Sequence, residues 1–259
     1  MAQSAPQYPM WKIIGKMKAA IMILFWLIFA FSVIPLLLKS YASQVDCDDL
    51  VNVLNIVSLS LFFILDTAVD FVLTPMADAT RRDDFIDNAF GSAFSTNPSV
   101  DYYTNNHLST GIYKAAANLF ESCFFTYSLA KKIIYKRLIT TTVILLLVGA
   151  CCWYGFKQVS FALSLLQVLF SAKLLGSVIK QLILLTRLDR IQDNLINLFQ
   201  QPDFKQNPSL YAPHVYRLWL RYESLHSTIP TEIPDRTYKE FNQALSTDWE
   251  NLKTRYNIK

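Results

Sequence analysis

The stretch that decides the fold is Ala19–Leu38, AAIMILFWLIFAFSVIPLLL, an uninterrupted apolar run without a charged residue. At about 1.5 Å per residue, a helix of this length is roughly 30 Å long, which matches the hydrocarbon core of a bilayer. The sequence therefore predicts a transmembrane helix. Lysines precede the run and aspartates follow it, so the positive-inside rule predicts that residues 1–18 are cytoplasmic.

The composition is typical of a protein divided between bilayer and water. Of the 259 residues, 53% are hydrophobic and 17% are charged, and the formal net charge is +4. We expect no direct nucleic-acid binding, because that needs a basic patch on a soluble face. The four cysteines and three histidines have no metal-ligand spacing, so we expect no metal and no cofactor. Without a phosphate loop, a nucleophile elbow or a Ser-His-Asp arrangement, we expect no enzyme.

A second apolar segment, Leu50–Val72, completes the first predicted hairpin. It carries Asn52 and Asn55 in an apolar frame, and Asp66 and Asp70 lie one helical turn apart near its end. Either the two aspartates mark the helix leaving the membrane at the cytoplasmic headgroups, or they face the interior of a helix assembly. Intramembrane carboxylates are costly and normally find a cavity or a partner.

A cytoplasmic insert is predicted to follow. Its opening, RRDDFIDNAFGSAFS, indicates a short helix that ends near Gly91, since glycine is a common helix stop. Residues Ser92–Ser109 are rich in Ser, Asn and Asp and indicate a loop. In Thr110–Lys132, apolar residues recur every three to four positions, which predicts an amphipathic helix that runs on into the membrane.

The insert also holds the candidate binding residues. Arginine forks, stacking tyrosines and polar side chains are the groups that recognise phosphate and base together. The alternative interpretation is positive-inside arginines followed by a polar surface loop. The candidates for contact with a ligand or partner are Arg81, Arg82, Asp84, Tyr102, Tyr103 and Lys114.

A basic collar precedes the third predicted span, Leu138–Tyr154, and a four-residue loop returns the chain to a fourth, Val159–Leu185. Lys173 lies about half way along the fourth span. A lysine there costs roughly 2.5–3.5 kcal/mol on insertion scales. Lys173 either snorkels to the headgroups, or meets a buried partner such as Asp66, or lines a pore.

The tail is predicted to be soluble and helical. Apolar residues recur at helical spacing in three segments, with breaks at Gln201–Asn207 and around Pro230. Asp235 is predicted to cap the last helix. Each stripe is too small to form a core alone, so we expect these helices to pack on one another and on Thr110–Lys132.

The predicted fold is an all-α membrane protein with two transmembrane hairpins, hence four spans, a helical cytoplasmic insert and a helical cytoplasmic tail. Every basic cluster then lies on one side of the bilayer, with both termini in the cytoplasm. Cys47, Cys151 and Cys152 fall near the outer face, where they either bridge the hairpins or remain small apolar residues. The predicted boundaries are 1–18 for the N-terminus, 19–72 for the first hairpin, 73–137 for the insert, 138–185 for the second hairpin and 186–259 for the tail.

This layout resembles the four-transmembrane effectors of bacterial anti-phage systems, which are associated with nucleotide-second-messenger synthases. Two short patches are similar: Ala79–Gly91, with its RRDDF opening, and Ile233-Pro234-Asp235 before Tyr238. The aromatic-proline patterns of the family's insert are missing here. The resemblance implies a protein of the bacterial inner membrane that is silent until a signal arrives, then assembles and permeabilises the membrane.

Two functions follow from the sequence. The first is an oligomeric membrane effector or channel, gated by a partner protein or small signalling ligand on the cytoplasmic side. The second is a membrane-anchored interaction module that recruits a partner through its cytoplasmic helices. A small transporter would need symmetry between its halves, and the two hairpins differ. The polar residues that favour the channel are Asn52, Asn55, Asp66, Asp70 and Lys173.

Overall fold

Helices are the only regular secondary structure in the described residues, which confirms the predicted all-α class. A computed structural model describes residues 7–41, 48–99, 102–153, 174–230 and 233–258. A π-helical turn, Val69–Leu73, follows α2, and a 3₁₀ turn, Pro208–Tyr211, precedes α6. The α-helices are α1 Tyr8–Tyr41, α2 Asp48–Ala68, α3 Thr74–Phe90, α4 Ile112–Trp153, α5 Leu174–Phe199, α6 Ala212–Thr228 and α7 Asp235–Arg255.

A proline accounts for the π-helical turn between α2 and α3. Pro75 has no N–H, and in an α-helix its ring would collide with the carbonyl of Phe71, four residues earlier. In the π-helical turn the Thr74 N–H bonds instead to the carbonyl of Val69, five residues earlier. Helix α3 then ends where Gly91 adopts a φ of +74°, which confirms the predicted stop.

The chain divides into two compact units. The helical unit contains the described residues of Met1–Tyr8, Asp78–Arg137 and Val178–Lys259. The apolar unit contains those of Pro9–Ala77 and Leu138–Ser177. Helices α3, α4 and α5 each contribute residues to both units, so neither unit is a single stretch of sequence.

Two helical segments of the described chain are long and apolar enough to cross a membrane. They are Tyr8–Ser32, with a mean hydropathy of 2.0, and Asp49–Phe90, with 2.1. Only 11% of the apolar window in each is buried, whereas a core helix of a soluble protein is mostly buried. These helices are compatible with a membrane protein. The four spans and their orientation stay predictions.

The apolar unit has a small core between α1 and the helix that follows it. Ile14 and Ile21 of α1 are buried together with Val69 of the π-helical turn and Ala77 of α3. The covered residues of α2 recur every three to four positions, so they form one stripe along the helix. Much of the remaining surface of α2 is exposed, including Phe63 at 68%.

The core of the helical unit is aromatic. The ring of Phe120 on α4 lies edge-on to Trp249 of α7 at 5.2 Å and stacks on Phe199 of α5 at 5.8 Å. Phe120 and Trp249 are both fully buried. Burying a phenylalanine side chain contributes about 1.5–3 kcal/mol. These contacts confirm that tail helices pack on the predicted helix Thr110–Lys132.

Helix α7 begins one residue earlier than the sequence predicts. Asp235 is its first helical residue, and Pro234 occupies the N-cap position with φ −63° and ψ 138°. No side-chain hydrogen bond caps this end. The prediction that Asp235 caps α7 is therefore wrong. The proline ring fixes φ near the value that an extended residue before a helix needs, so it defines the start without a capping side chain.

Candidate functional site

A carboxylate on the buried side of α4 holds the loop that follows α3. Glu121 is 5% exposed and accepts hydrogen bonds from the backbone N–H of Thr104 at 3.2 Å and from its hydroxyl at 3.0 Å. The side-chain amide of Asn105 donates to the same carboxylate at 2.8 Å. Three donors of one loop segment therefore meet one acidic group of the helix.

The hydroxyl of Thr104 extends this contact to α7. It accepts from Trp249 Nε1 at 2.8 Å and from Lys253 Nζ at 3.3 Å. Because the same hydroxyl donates to Glu121, its one donor and two acceptor positions are all used. Lys253 also forms an ion pair with Glu250 at 2.6 Å. We call Thr104, Asn105, Glu121, Trp249 and Lys253 the Glu121 clamp.

A chain of side-chain amides leads from the clamp to the surface. Asn105 Nδ2 donates to Asn118 Oδ1 at 3.1 Å, and Asn118 Nδ2 donates to Asn88 Oδ1 at 2.8 Å. Asn88 in turn donates to the exposed Asn106 at 3.4 Å. A carboxylate only accepts, so ionised Glu121 fixes the direction of every amide in this chain. The chain ties α3, α4 and the loop together.

The Glu121 carboxyl is poised to change charge near neutral pH. Burial raises its pKa to about 7, while the hydrogen bonds from Thr104 and the charge of Lys253 act to lower it. The nearby charge of Glu250 raises it further. Desolvation disfavours the charged form, whereas the converging donors favour it. Around pH 7 the Glu121 carboxyl is therefore populated in both its protonated and its ionised form.

A second buried cluster joins α3 to α6. Arg81 Nη1 donates to Glu223 at 3.1 Å, and the two side chains are only 13% and 9% exposed. The carboxylate of Asp78 lies 3.8 Å from Arg81 Nε. Burial by itself lowers the pKa of Arg81, but Tyr222, Glu223 and Asp78 raise it above its ordinary value. The guanidinium thus stays charged inside the unit.

Burial and the charge of Arg81 shift the pKa values of two titratable groups near this pair. Burial raises the pKa of Asp78, and the charges of Arg81 and Arg82 oppose that shift. Burial lowers the pKa of His226 well below its ordinary value, and the charge of Arg81 lowers it further. His226 is therefore neutral at physiological pH. The cluster holds one buried cation compensated by buried carboxylates.

The loop after α3 is also held by α3 itself. The carboxylate of Asp87 accepts from the backbone N–H groups of Phe94 at 2.8 Å and Ser95 at 2.7 Å. Asp84 accepts from the N–H of Ser99 at 2.6 Å. Two acidic residues three positions apart thus bind the first half of the loop, and the Glu121 clamp binds the second half.

The structure brings together four of the six predicted binding residues. Tyr103 is 3% exposed and its ring meets that of Tyr102 edge-on at 4.8 Å. The charges of Arg81 and Asp84 act on both tyrosine hydroxyls. Burial raises the pKa of Tyr102 to about 12, so this hydroxyl stays protonated. These four residues form an internal cluster rather than an open binding surface.

The remaining two predicted binding residues are Arg82 and Lys114. Arg82 is half-buried. Lys114 is 7% exposed at the start of α4, and burial lowers its pKa. The roles predicted for all six residues in ligand or partner binding stay predictions.

Sequence reasoning missed the residues that organise both clusters. Glu121 and Glu223 lie on the buried sides of α4 and α6, among residues that were interpreted only as apolar stripes. An acidic residue within the apolar stripe of an amphipathic helix is the signal that marks such a position, because a buried carboxylate needs donors. The partners themselves are distant in sequence and could not be named from spacing.

The polar residues predicted in the spans have different surroundings. Asn55 on α2 is half-buried and donates to the hydroxyl of Ser32 on α1 at 3.3 Å. Asn52 and Asp70 are exposed, and Asp66 is half-buried. Lys173 lies outside the described residues, and so do the side chains of Cys47, Cys151 and Cys152.

In the part of the chain that the structure describes, no three His, Cys, Asp or Glu side chains are grouped so as to hold a metal ion. Comparisons with protein-family models, curated proteins and solved structures give no match. The proposals below therefore rest on the residues and contacts of this chain.

Proposed function

We propose that the chain is an oligomeric four-span effector or channel of the bacterial inner membrane, with both termini in the cytoplasm. Its helical unit receives a partner protein or a small signalling ligand, and its spans then permeabilise the membrane. The role in bacterial defence comes from the family resemblance. The gating arrangement comes from the contacts described above.

Helical continuity is the observation that carries this proposal. Residues 48–90 are helical without a gap, so the apolar α2 is joined by helix to Arg81 in the buried pair. Helix α4 likewise extends from Ile112 to Trp153 and bears Glu121. A helix transmits displacement of one end to the other, since each turn is held by backbone hydrogen bonds. A change in the clamp or the buried pair therefore acts on the apolar segments.

The π-helical turn supplies a place where such a displacement can become bending of the helix. Kinks occur at proline and at π-helical turns, and here Pro75 follows a π-helical turn by two residues. The turn lies between the apolar α2 and the Asp78–Arg81 contact. We therefore assign the hinge of the effector to Val69–Pro75.

The exposed polar residues of α2 and of the π-helical turn support assembly. Asn52 and Asp70 are exposed on a helix whose other exposed residues are mostly large and apolar. In lipid, such groups normally face a protein interior or water, because burying them unpaired is costly. A second copy of the chain would supply that environment.

A membrane-anchored interaction module is the second candidate. The observation that favours it is the internal compensation of the helical unit, in which Arg81 is paired with Glu223 and Glu121 with loop donors. The buried charges of such a unit are compensated by its own residues. It would recruit a partner through its surface while the apolar helices only hold it at the membrane.

Membrane potential distinguishes the two candidates. The full chain should be expressed in bacteria with a potential-sensitive dye, and purified protein should be tested for ion flux from liposomes. We expect depolarisation and flux from the parent and weaker effects from Pro75→Ala, because this change removes the hinge. The matched control is Pro213→Ala on α6. An abundant, membrane-integrated parent that neither depolarises cells nor passes ions would favour the anchor.

A further inference from the structure

Two hydrogen bonds define how α4 and α5 pair within the helical unit. Gln181 Nε2 donates to the carbonyl of Ala130 at 3.3 Å, and the thiol of Cys123 donates to the carbonyl of Leu188 at 3.5 Å. Seven residues forward along α5 thus correspond to seven residues backward along α4. The two helices are therefore antiparallel in a defined register.

This register brings lysines of both helices to one level. Lys131 on α4 lies opposite Lys180 on α5, and Lys132 and Lys136 lie within about one and a half turns of that level. All four side chains are exposed. The ammonium group of Lys132 also lies 5.1 Å from the centre of the Phe241 ring, which positions it beside α7. We call these four lysines the lysine collar.

Large apolar side chains are exposed beside the collar. Tyr135 on α4 is 62% exposed, and Ile179 and Ile183 on α5 are 57% and 40% exposed. The predicted third span begins only a few residues after Tyr135 on the same helix. By the same register Tyr135 and Ile179 lie between the levels of Lys131 and Lys136, so an interfacial tyrosine, an aliphatic group and ammonium groups are available to the glycerol, acyl chain and phosphate of a lipid at the membrane surface.

We propose that the lysine collar binds the phosphate headgroups of anionic phospholipids. Lys131, Lys132 and Lys136 precede the predicted third span, and Lys180 lies five residues inside the cytoplasmic end of the predicted fourth span. Cations clustered at this boundary are attracted to anionic lipid, and lysine is a compact charge suited to phosphate. The proposal rests on the membrane insertion of the second hairpin described under the proposed function. Bound anionic lipid holds the paired α4 and α5 at a fixed depth, which makes the coupling of the helical unit to the spans depend on lipid composition.

Lipid retention tests the collar directly. The full chain is purified in mild detergent and exposed to mixtures of phosphatidylglycerol and phosphatidylcholine, and bound lipid is counted by native mass spectrometry. We expect the parent to bind more phosphatidylglycerol than phosphatidylcholine. In the variant K131Q/K132Q/K136Q/K180Q the ratio of the two bound lipids should be lower by about tenfold or more. The control K205Q/R217Q/R221Q/K239Q removes four exposed cations outside the collar and should keep the parent's preference.

Other outcomes overturn the proposal in distinguishable ways. An unchanged preference in the collar variant, or an equal loss in both variants, would mean that the collar is not the lipid site. Displacement of the lipid by millimolar inorganic phosphate would indicate a general anion site and also overturn it. Alkaline extraction of the parent from membranes tests the premise: an extractable parent overturns insertion and the collar together, whereas an integral parent with no collar effect overturns the collar alone.

Discussion

The helical unit and the apolar unit are built from the same element, yet they treat their side chains in opposite ways. In the helical unit, aromatic residues such as Phe120 and Trp249 are fully buried. In the apolar unit, comparable residues such as Phe63 and Phe71 are 68% and 78% exposed. Water drives apolar surface inside, whereas lipid tails solvate it as well as another side chain does. The exposure of the apolar residues is therefore compatible with water around the helical unit and lipid around the apolar unit.

The polar side chains of the two units also differ, in how they are hydrogen-bonded. In the helical unit Glu121 has three hydrogen bonds from the loop, and Arg81 is held by Glu223 with Asp78 nearby. In the apolar unit Asn55 donates to the hydroxyl of Ser32, and Asn52 and Asp70 are exposed. Dense networks specify a single packing, because a buried polar group left unpaired is costly. The network of the helical unit therefore specifies a single packing of its helices.

The largest expected effect comes from the aromatic core. Trp249→Ala removes a fully buried ring and the donor to Thr104, so we expect it to destabilise the helical unit by about 3–5 kcal/mol. Phe63→Ala on α2 should change stability by less than about 1 kcal/mol, since that ring is mostly exposed. Thermal unfolding in detergent, followed by circular dichroism, measures both. Equal losses of stability in the two variants would contradict the contrast between a helical unit packed in water and an apolar unit exposed to lipid.

The buried ion pair should give an effect of similar size. Arg81→Leu leaves Glu223 buried without its cation, which typically costs about 3–5 kcal/mol. The double variant R81L/E223L should recover most of that loss, because no uncompensated charge remains. Denaturant unfolding reports the difference, with R217L on the exposed side of α6 as the control. A double variant as unstable as R81L would show that the pair is not the cause.

Features that depend on a residue's own backbone were predictable from the sequence, whereas contacts between residues far apart in the sequence were not. Local signals sufficed for the end of α3 at Gly91 and for the break after α5, because glycine and proline act on their own backbone. The Arg81–Glu223 pair joins residues 142 positions apart, and Trp249 reaches Thr104 across 145 positions. Such contacts depend on how whole helices pack, and no spacing rule predicts them. Pro75 was a local signal for the π-helical turn that went unused.

The clamp gives a pH dependence whose sign is defined. The native pKa of Glu121 lies near 7, above the ordinary value of a glutamate, so the native state binds a proton that the unfolded chain releases between about pH 4.5 and 7. The stability that this proton contributes is full below about pH 4.5 and is lost as the pH rises through 7. Its size is on the order of 3 kcal/mol.

Comparing the parent with Glu121→Gln isolates this contribution. The variant keeps an acceptor for Thr104 but has no proton to release, so its stability should fall less than the parent's between pH 5 and 8. Taking the difference between the two profiles removes the other titrating groups, among them Asp78 and Asp84. Parallel profiles would show that Glu121 does not titrate in this range.

The smallest expected effect lies in the apolar unit. Asn55→Leu removes the hydrogen bond to Ser32, and interhelical hydrogen bonds in membranes contribute only about 0.6 kcal/mol on average. Asn52 is exposed on the same helix, so Asn52→Leu removes no contact between α1 and α2. Hydrogen exchange of α1 and α2 in lipid should therefore rise slightly for Asn55→Leu and stay unchanged for Asn52→Leu.

If Asn52 instead faces a second copy or a pore, its leucine variant should lower ion flux while leaving the hairpin intact. Strong loosening of the hairpin by Asn55→Leu would mean that the apolar unit depends on its polar contacts as much as the helical unit does, and the contrast between the two units would fail.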